Sequence, residues 1–425
     1  MKKKVAILCE LKERELQFLS ILKLKLEYAG FNAQIIPQRI FPGIKLLLFR
    51  PDIIIINGLR SDSSFYKQIL IPKITTNCHV ISLYSEQIGR IEGIADTYNN
   101  PTILNSIDAH VVWGEGFAEG LKNLGVPSHK IWVIGSMALD LPFFIREKTL
   151  SDKNNIAIKY EIEGWKKWVL ISDNIIRKAD QISVYDEIRR EFNSGIKILA
   201  SNLTDVLFIF RPHPDNMLSD LKFIKDDFSN FKNIKIIREE HNITWSILCN
   251  AMIVWRSTSA IEAWATNIQT FGLQTNENKF DYWHEKLMPN FRNANELCKT
   301  LILEFKGDFQ LNPDLSNNRT QYIKRWFHRN DGRSFDRLTY LVRKIENDPK
   351  IKLQLRNYNI LDILRAYFND FISVFSKVIK GEYSKFSISS SDIADNLKYI
   401  KLDSNRYDIS FEIVNEVYGN YMIEK

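Results

Sequence analysis

Three stretches of this chain end a buried-strand pattern in polar residues, the place where an α/β sheet offers side chains to a ligand. The sharpest is Phe208-Ile209-Phe210-Arg211-Pro212-His213-Pro214. An apolar run ends in Arg211 and His213, and the flanking prolines fix the backbone, so the turn is rigid and aims the imidazole out of the sheet edge. An N–H donor at that position would hold a phosphate oxygen; the alternative is a capped turn with an ordinary histidine. The second stretch is Met252-Ile253-Val254-Trp255-Arg256-Ser257-Thr258-Ser259-Ala260-Ile261-Glu262-Ala263. Ser257, Thr258 and Ser259 are suitable helix N-caps, and the free N–H groups of the turn they open form an anion site. Glu262 falls one turn in, on the face that could accept ribose hydroxyls. Ser259 and Glu262 would equally form a capping box, but with His213 one strand-loop earlier, phosphate binding is favoured. The third stretch, Lys167-Trp168-Val169-Leu170-Ile171-Ser172-Asp173-Asn174, delivers Asp173 either as a helix cap or as a reactive carboxylate. Glu86 follows a comparable strand in Leu83-Tyr84-Ser85-Glu86-Gln87. A carboxylate from each of two lobes facing one cleft suits general acid–base or nucleophilic work on a sugar.

What the chain lacks narrows the chemistry. It has no Asp-x-Asp, the usual metal–diphosphate handle, and no HExxH, Walker or GxGxxG sequence. His284 beside Glu285 and Cys78 beside His79 have no partners at ligand spacing and read as structural. A transferase that needs no metal acts more comfortably on a nucleotide-monophosphate sugar than on a diphosphate one, so neither metal nor cofactor is expected. Arg325, Arg329, Arg333, Arg337 and Arg343 form either a solvated face or an anion contact.

These motifs need a scaffold that gathers strand ends. Val5–Cys9 reads as a buried strand and Arg14–Tyr28 as an amphipathic helix closed by Gly30. Ala33–Pro37, Ile53–Ile56, His79–Leu83, Ala109–Trp113 and Ile131–Ile134 continue the alternation, implying right-handed crossovers and a parallel sheet covered on both faces. A polar stretch from Arg146 to Asn155 interrupts it. Trp168–Ser172, Val206–Arg211, Ile234–Ile237, Met252–Trp255 and Gln269–Leu273 then restart it. The expected fold class is α/β, two Rossmann-like doubly wound domains with the active site in the interdomain cleft, plus C-terminal helices. The boundaries are residues 1–145, a linker at 146–165, a second domain at 166–345 and a helical extension at 346–425. Within the extension, Ile360–Ile379 is a long amphipathic helix with Phe368, Phe371, Ile372 and Phe375 on its apolar side. It is expected to pack against the domains, the alternative being a membrane-surface or partner helix.

A length of 425 residues agrees with two or three domains. With 45% apolar, 12% aromatic and 26% charged residues, the composition excludes disorder, collagen-like repeats and a disulfide scaffold. Cys9, Cys78, Cys249 and Cys298 are scattered without CxxC pairs, which fits a reducing compartment. The basic start Met1-Lys2-Lys3-Lys4 precedes an apolar run that stops at Glu10, too short for an export segment. Arg50, Pro51 and Asp52 cut the other long apolar run. The protein is therefore expected to be cytoplasmic, soluble or at most peripheral. A net charge of +7 favours anionic partners such as nucleotides, acidic sugars or lipid headgroups, and is no nucleic-acid signature.

Several segments together resemble a known group. They are Val5-Ala6-Ile7-Leu8 with Lys12, Glu13, Arg14 and Glu15; Asp108-Ala109-His110-Val111-Val112-Trp113-Gly114-Glu115; Val133-Ile134-Gly135-Ser136-Met137-Ala138-Leu139-Asp140; the Arg211–Pro214 turn; Ser257–Glu262; and Asn330-Asp331-Gly332-Arg333-Ser334. This ordered set, over about residues 4–340, resembles bacterial surface-carbohydrate biosynthesis glycosyltransferases of the two-lobed GT-B fold. Within them it is most similar to the retaining β-Kdo transferases, whose donor is CMP-Kdo. The resemblance implies an acceptor-side first domain and a nucleotide-sugar second domain. His213 and Pro214 would form the CMP-phosphate turn, with Ser257, Thr258, Ser259 and Glu262 as the nucleotide loop. Asp173 would fall at the catalytic carboxylate, and a lipid-linked or oligosaccharide glycan would be the acceptor. Arg256 stands where the usual loop begins Asn-Ser-Thr, a departure that bears on the donor. Rivals are a polyol-phosphate transferase of the CDP-glycerol type, a sugar-nucleotide epimerase, and a non-catalytic glycan-binding protein on the same fold.

Overall fold

A computed structural model of the chain describes residues 2–397 apart from 85, 86, 88–91, 174–181, 214–217, 256 and 274–285. The chain divides into two compact units, Met1–Asp140 with Ile323–Lys425, and Leu141–Tyr322.

In the first unit, β1 (Lys4–Cys9), β2 (Asn32–Pro37), β3 (Ile53–Ile56), β4 (His79–Ser82), β5 (Ala109–Val112) and β6 (Ile131–Val133) form one parallel sheet in the order β2-β1-β3-β4-β5-β6. Ile53, Ile54, Ile55 and Ile56 are all fully buried. An unbroken run of this kind suits a strand covered on both faces, where alternation would leave one face wet. Burying each such side chain contributes about 1.5–3 kcal/mol. The helix Lys12–Tyr28 returns the chain to β2, and its end is turned by Gly30 at φ +96°, a conformation that a Cβ would strain.

In the second unit, β7 (Lys167–Ser172), β8 (Val206–Arg211), β9 (Ile234–Ile236), β10 (Ala251–Val254), β11 (Gln269–Leu273) and β12 (Asn290–Phe291) form a second parallel sheet, ordered β12-β11-β10-β7-β8-β9. Its core includes Phe208, Phe210, Ile253 and Phe271, with Phe192 stacked on Trp255 at 5.2 Å. Every strand expected from the sequence is present, and two-residue β12 is additional. Both sheets reverse their strand order beside their first strand: β1 lies between β2 and β3, and β7 between β10 and β8. In open α/β sheets the carboxyl ends at such reversals are where ligands bind.

The units do not divide where the composition suggested. Residues 146–165 are not a linker: Pro142–Ser151 and Lys153–Lys159 are helices of the second unit that bury Phe144, Ile145, Ile156 and Ala157. Nor does the second unit run to 345, because the chain returns to the first unit at Ile323. Helix Ser334–Ile345 buries Phe335, Leu338, Leu341 and Val342 there, and its Asp336 lies 2.7 Å from Lys25 Nζ. Asp140 holds this return. Its carboxylate accepts the N–H groups of Gly332 (3.0 Å) and Ser334 (2.8 Å) and the Ser334 hydroxyl. Arg337 pairs with Asp331 and donates to the Ile134 carbonyl at 3.1 Å. Burial pushes the Asp140 carboxyl up to about 6 against those donors. Two segments that carry the family resemblance, Val133–Asp140 and Asn330–Ser334, thus bind each other inside the first unit. Of the arginines beyond 323, Arg325 pairs with Glu119, Arg337 is buried and Arg343 donates to the Ala29 carbonyl.

The extension is built into the first unit. Ile351 N–H donates to Asp108 Oδ1 (3.1 Å), the other oxygen of that carboxylate pairs with Lys73, and Ile363 joins the core formed by Phe65 and Ile69. Helix Ile360–Ile379 docks through Ile363, Ala366 and Val374 and through a Lys67–Asp370 pair at 2.6 Å. Most of the face that packs is not the one expected: Phe368, Ile372 and Phe375 are 55–68% exposed, and of that set Phe371 meets Phe41, ring centroids 4.9 Å apart. No described helix is long and apolar enough to cross a membrane.

Candidate functional site

At the reversal of the second sheet, Ser172 stands in register between Arg211 of β8 and Val254 of β10. Its hydroxyl lies 2.6 Å from Ser259 Oγ and 3.2 Å from Ser257 Oγ, and the last two are 2.7 Å apart. Each hydroxyl has one donor and two acceptor sites. A ring of three can therefore satisfy its own protons or turn one outward. The Ser259 N–H donates to Ser257 Oγ at 3.3 Å.

Asp173 is the next residue along the same edge. Its backbone N–H donates to the Arg211 carbonyl at 3.2 Å, and its carboxylate, 2% exposed, is ion-paired to Arg189 of the helix Ile182–Asn202. Arg189 is itself 1% exposed. Arg211 and His213 are half-buried at the end of β8, on the edge that carries Asp173.

Thr258 and Glu262 sit at the N-cap and in the first turn of the helix that Ser259 opens. Glu262 is half-buried and accepts the Asn242 side-chain amide at 2.8 Å. Thr258 occupies the N-cap of Ser259–Ala265 without a side-chain cap bond, so the Ser259–Glu262 capping box is not formed. Glu86, Pro214 and Arg256, with Asn174, His284 and Glu285, lie outside the described residues.

The reversal of the first sheet holds a group that sequence reasoning left among its helix neighbours. Glu15, 1% exposed, accepts the Glu10 N–H at Oε2 (2.7 Å) and, at Oε1, the Asn57 amide (2.9 Å) and Arg14 (3.3 Å). Burial raises its carboxyl above the usual range, opposed by Arg14 and the backbone donor. A perturbed acid at such a crevice is a functional candidate. Glu10, Glu13 and Glu15 look alike in sequence; only the β1–β3 pairing, which brings Asn57 alongside, distinguishes the last. Further along this edge Leu59, Arg60, Tyr84, Tyr98, Asn99 and Asn100 line a small recess of about 10 Å³. The Tyr84 hydroxyl is 2.5 Å from His110 Nδ1, and burial brings that imidazole down to about 3, so it is neutral.

Comparison with protein families and with curated proteins finds no match for this sequence. Solved structures do match. The UDP-GlcNAc 2-epimerase of Methanocaldococcus jannaschii in complex with UDP-GlcNAc and UDP is 15% identical, over 80% of this chain and 99% of that one, with a TM-score of 0.53. A putative UDP-N-acetylglucosamine 2-epimerase from Listeria monocytogenes is 12% identical over 84% and 100%, also at 0.53. The wall teichoic acid polymerase TagF, soaked with CDPG, is 11% identical over 81% and 88%, at 0.55. At these identities the likeness is one of fold, and it bears out two Rossmann-like α/β domains.

Proposed function

We propose that the protein is a GT-B glycosyltransferase of surface-polysaccharide or lipopolysaccharide synthesis. In this reading it transfers Kdo from CMP-β-Kdo, with retention, to a lipid-linked or oligosaccharide acceptor at the inner membrane face. The observation that carries the reading is the meeting of Arg211, the serine ring and Asp173 at one strand-order reversal. A cation, hydroxyl donors and a carboxylate are what a departing nucleotide phosphate and an anomeric carbon require. Solved structures of this fold named for UDP-GlcNAc and CDPG lend support for a nucleotide-activated donor.

On this reading Arg211 and His213, in the turn closed by Pro214, neutralise the phosphate, so no metal ion is invoked. Arg256, Ser257, Thr258, Ser259 and Glu262 surround the nucleotide. Asp173 attacks the anomeric carbon as CMP leaves, and an acceptor hydroxyl that has given its proton to Glu86 then displaces Asp173. Arg189 releases Asp173 for that attack, the incoming phosphate being the anion that replaces it. Calorimetry in EDTA tests the assignment: CMP is expected to bind more tightly than UMP or UDP, and a strict magnesium requirement or a preference for UDP overturns it.

The buried Asp173–Arg189 pair favours a second reading, a polyol-phosphate transferase of the CDP-glycerol type in which no aspartyl adduct forms. Intact mass after incubation with donor alone separates the two. A sugar adduct mapping to Asp173 supports the first; CMP release from CDP-glycerol by an unmodified enzyme supports the second.

A further inference from the structure

We infer that the outer face of helix Ile360–Ile379 is a docking surface for an anionic lipid membrane. Among the described residues, nine of the large apolar side chains left exposed belong to this one helix. Leu361, Leu364, Phe368, Ile372, Phe375 and Ile379, each 55–71% exposed, fall within about 80° of arc at roughly 100° per residue. Phe371 and Val378 widen the stripe to about 120°. The helix cannot roll to hide it, because Ile363, Ala366 and Val374 are buried on the opposite side and Asp370 is held by Lys67. An apolar stripe some 30 Å long is thus fixed outward on a folded unit.

Charge selects the occupant. Lys352, Arg356 and Lys380 are exposed before and after the helix, while Arg365 faces Asp362 at 4.0 Å and Asp370 is paired with Lys67. Basic groups rimming an apolar face match phosphate headgroups above acyl chains, and three phenylalanines suit the headgroup boundary. A second copy fits poorly, because the stripe is broader than the narrow seam of a two-stranded coil.

Nothing in this surface depends on the donor chemistry proposed above. Flotation of the full chain with phosphatidylcholine vesicles, with and without phosphatidylglycerol, is the test. Binding is expected to the mixed vesicles, weaker to the neutral ones and weaker again in high salt. The triple variant Leu364→Glu, Phe368→Glu, Phe375→Glu should lose at least a hundredfold in partitioning. Its circular dichroism and melting should be unchanged, since all three side chains are exposed. Removing each rim charge should cost roughly fivefold. Binding that survives the triple variant, or no binding to anionic vesicles, overturns the inference. So does a dimer in light scattering that the triple variant dissociates, which would assign the face to a second copy. Asp173→Asn is expected to float like wild type, so failure of the transfer reading and failure of this one are distinguishable.

Discussion

The two strand-order reversals occupy equivalent places in their sheets and hold their acids in opposite ways. Glu15, between β1 and β3, is held by an amide side chain and a backbone N–H, with Arg14, 36% exposed at its side chain, as its cationic neighbour. Asp173, between β7 and β10, is held by a guanidinium that is itself buried. The first acid can take or release a proton while keeping its neutral donors. The second can lose its charge only if another anion takes its place on Arg189. Topology fixes where chemistry can occur, and the charge of the nearest partner decides which chemistry it is.

The largest effect that would test this contrast is Arg189→Ala. Breaking a buried pair from one side leaves an uncompensated charge, so the second unit should lose about 3–5 kcal/mol in urea unfolding. Arg14→Ala, at a part-exposed pair, should cost no more than about 1 kcal/mol; equal costs would erase the distinction. Next in size is a pH effect confined to the first unit. Burial raises the carboxyls of both Asp140 and Glu15. Each is protonated more readily folded than unfolded, so the stability it contributes is present below about pH 4 and is lost as pH rises, for Asp140 through about 6. At about 1.4 kcal/mol per pKa unit, the difference between wild type and Asp140→Asn should change by about 3 kcal/mol across that window. Glu15→Gln should flatten the pH profile in the same direction. A stability difference that does not vary with pH would break the idea of a titratable first unit.

Third comes His213→Ala. A charge-assisted hydrogen bond to phosphate contributes about 1.5–3 kcal/mol, so CMP affinity should fall ten- to a hundredfold by calorimetry. Glu15→Gln should leave that affinity unchanged, and a matching loss there would blur the division of labour between the two edges. The smallest effect is Ser259→Ala, which removes one corner of the hydroxyl ring and should cost about 0.5–1.5 kcal/mol of stability.

Much of this architecture is legible locally. Ile53–Ile56 announces a strand buried on both faces, and Arg211, Asp173 and Ser257 announce themselves by following such strands. What escapes local reading is partnership. Arg189 lies 16 residues from Asp173, and Asn57 lies 42 residues from Glu15. Strand order brings Asn57 to Glu15, and the return of a helix onto its sheet brings Arg189 to Asp173; neither leaves a periodic trace. The supposed linker misled for a related reason: its polar residues are the wet side of helices whose Phe144, Ile145 and Ile156 are buried. Likewise the pattern of Ser334–Ile345 shows a helix with one apolar face, but not which sheet that face covers.

The return at Ile323 also sets an order in time. Asp140 is synthesised 192 residues before Gly332, an interval of roughly 10–40 s at ordinary translation rates. Throughout it, the six strands of the first sheet exist without the helix Ser334–Ile345 and without Ile363 in their core. Leu141–Tyr322 is complete before the unit that precedes it. Limited proteolysis of ribosome-stalled chains should accordingly find the second unit resistant while the first is still cut, with protection of the first arriving only after the extension has emerged. A protein assembled in this sequence has its middle finished first, and its opening segment is completed only when the later helices arrive.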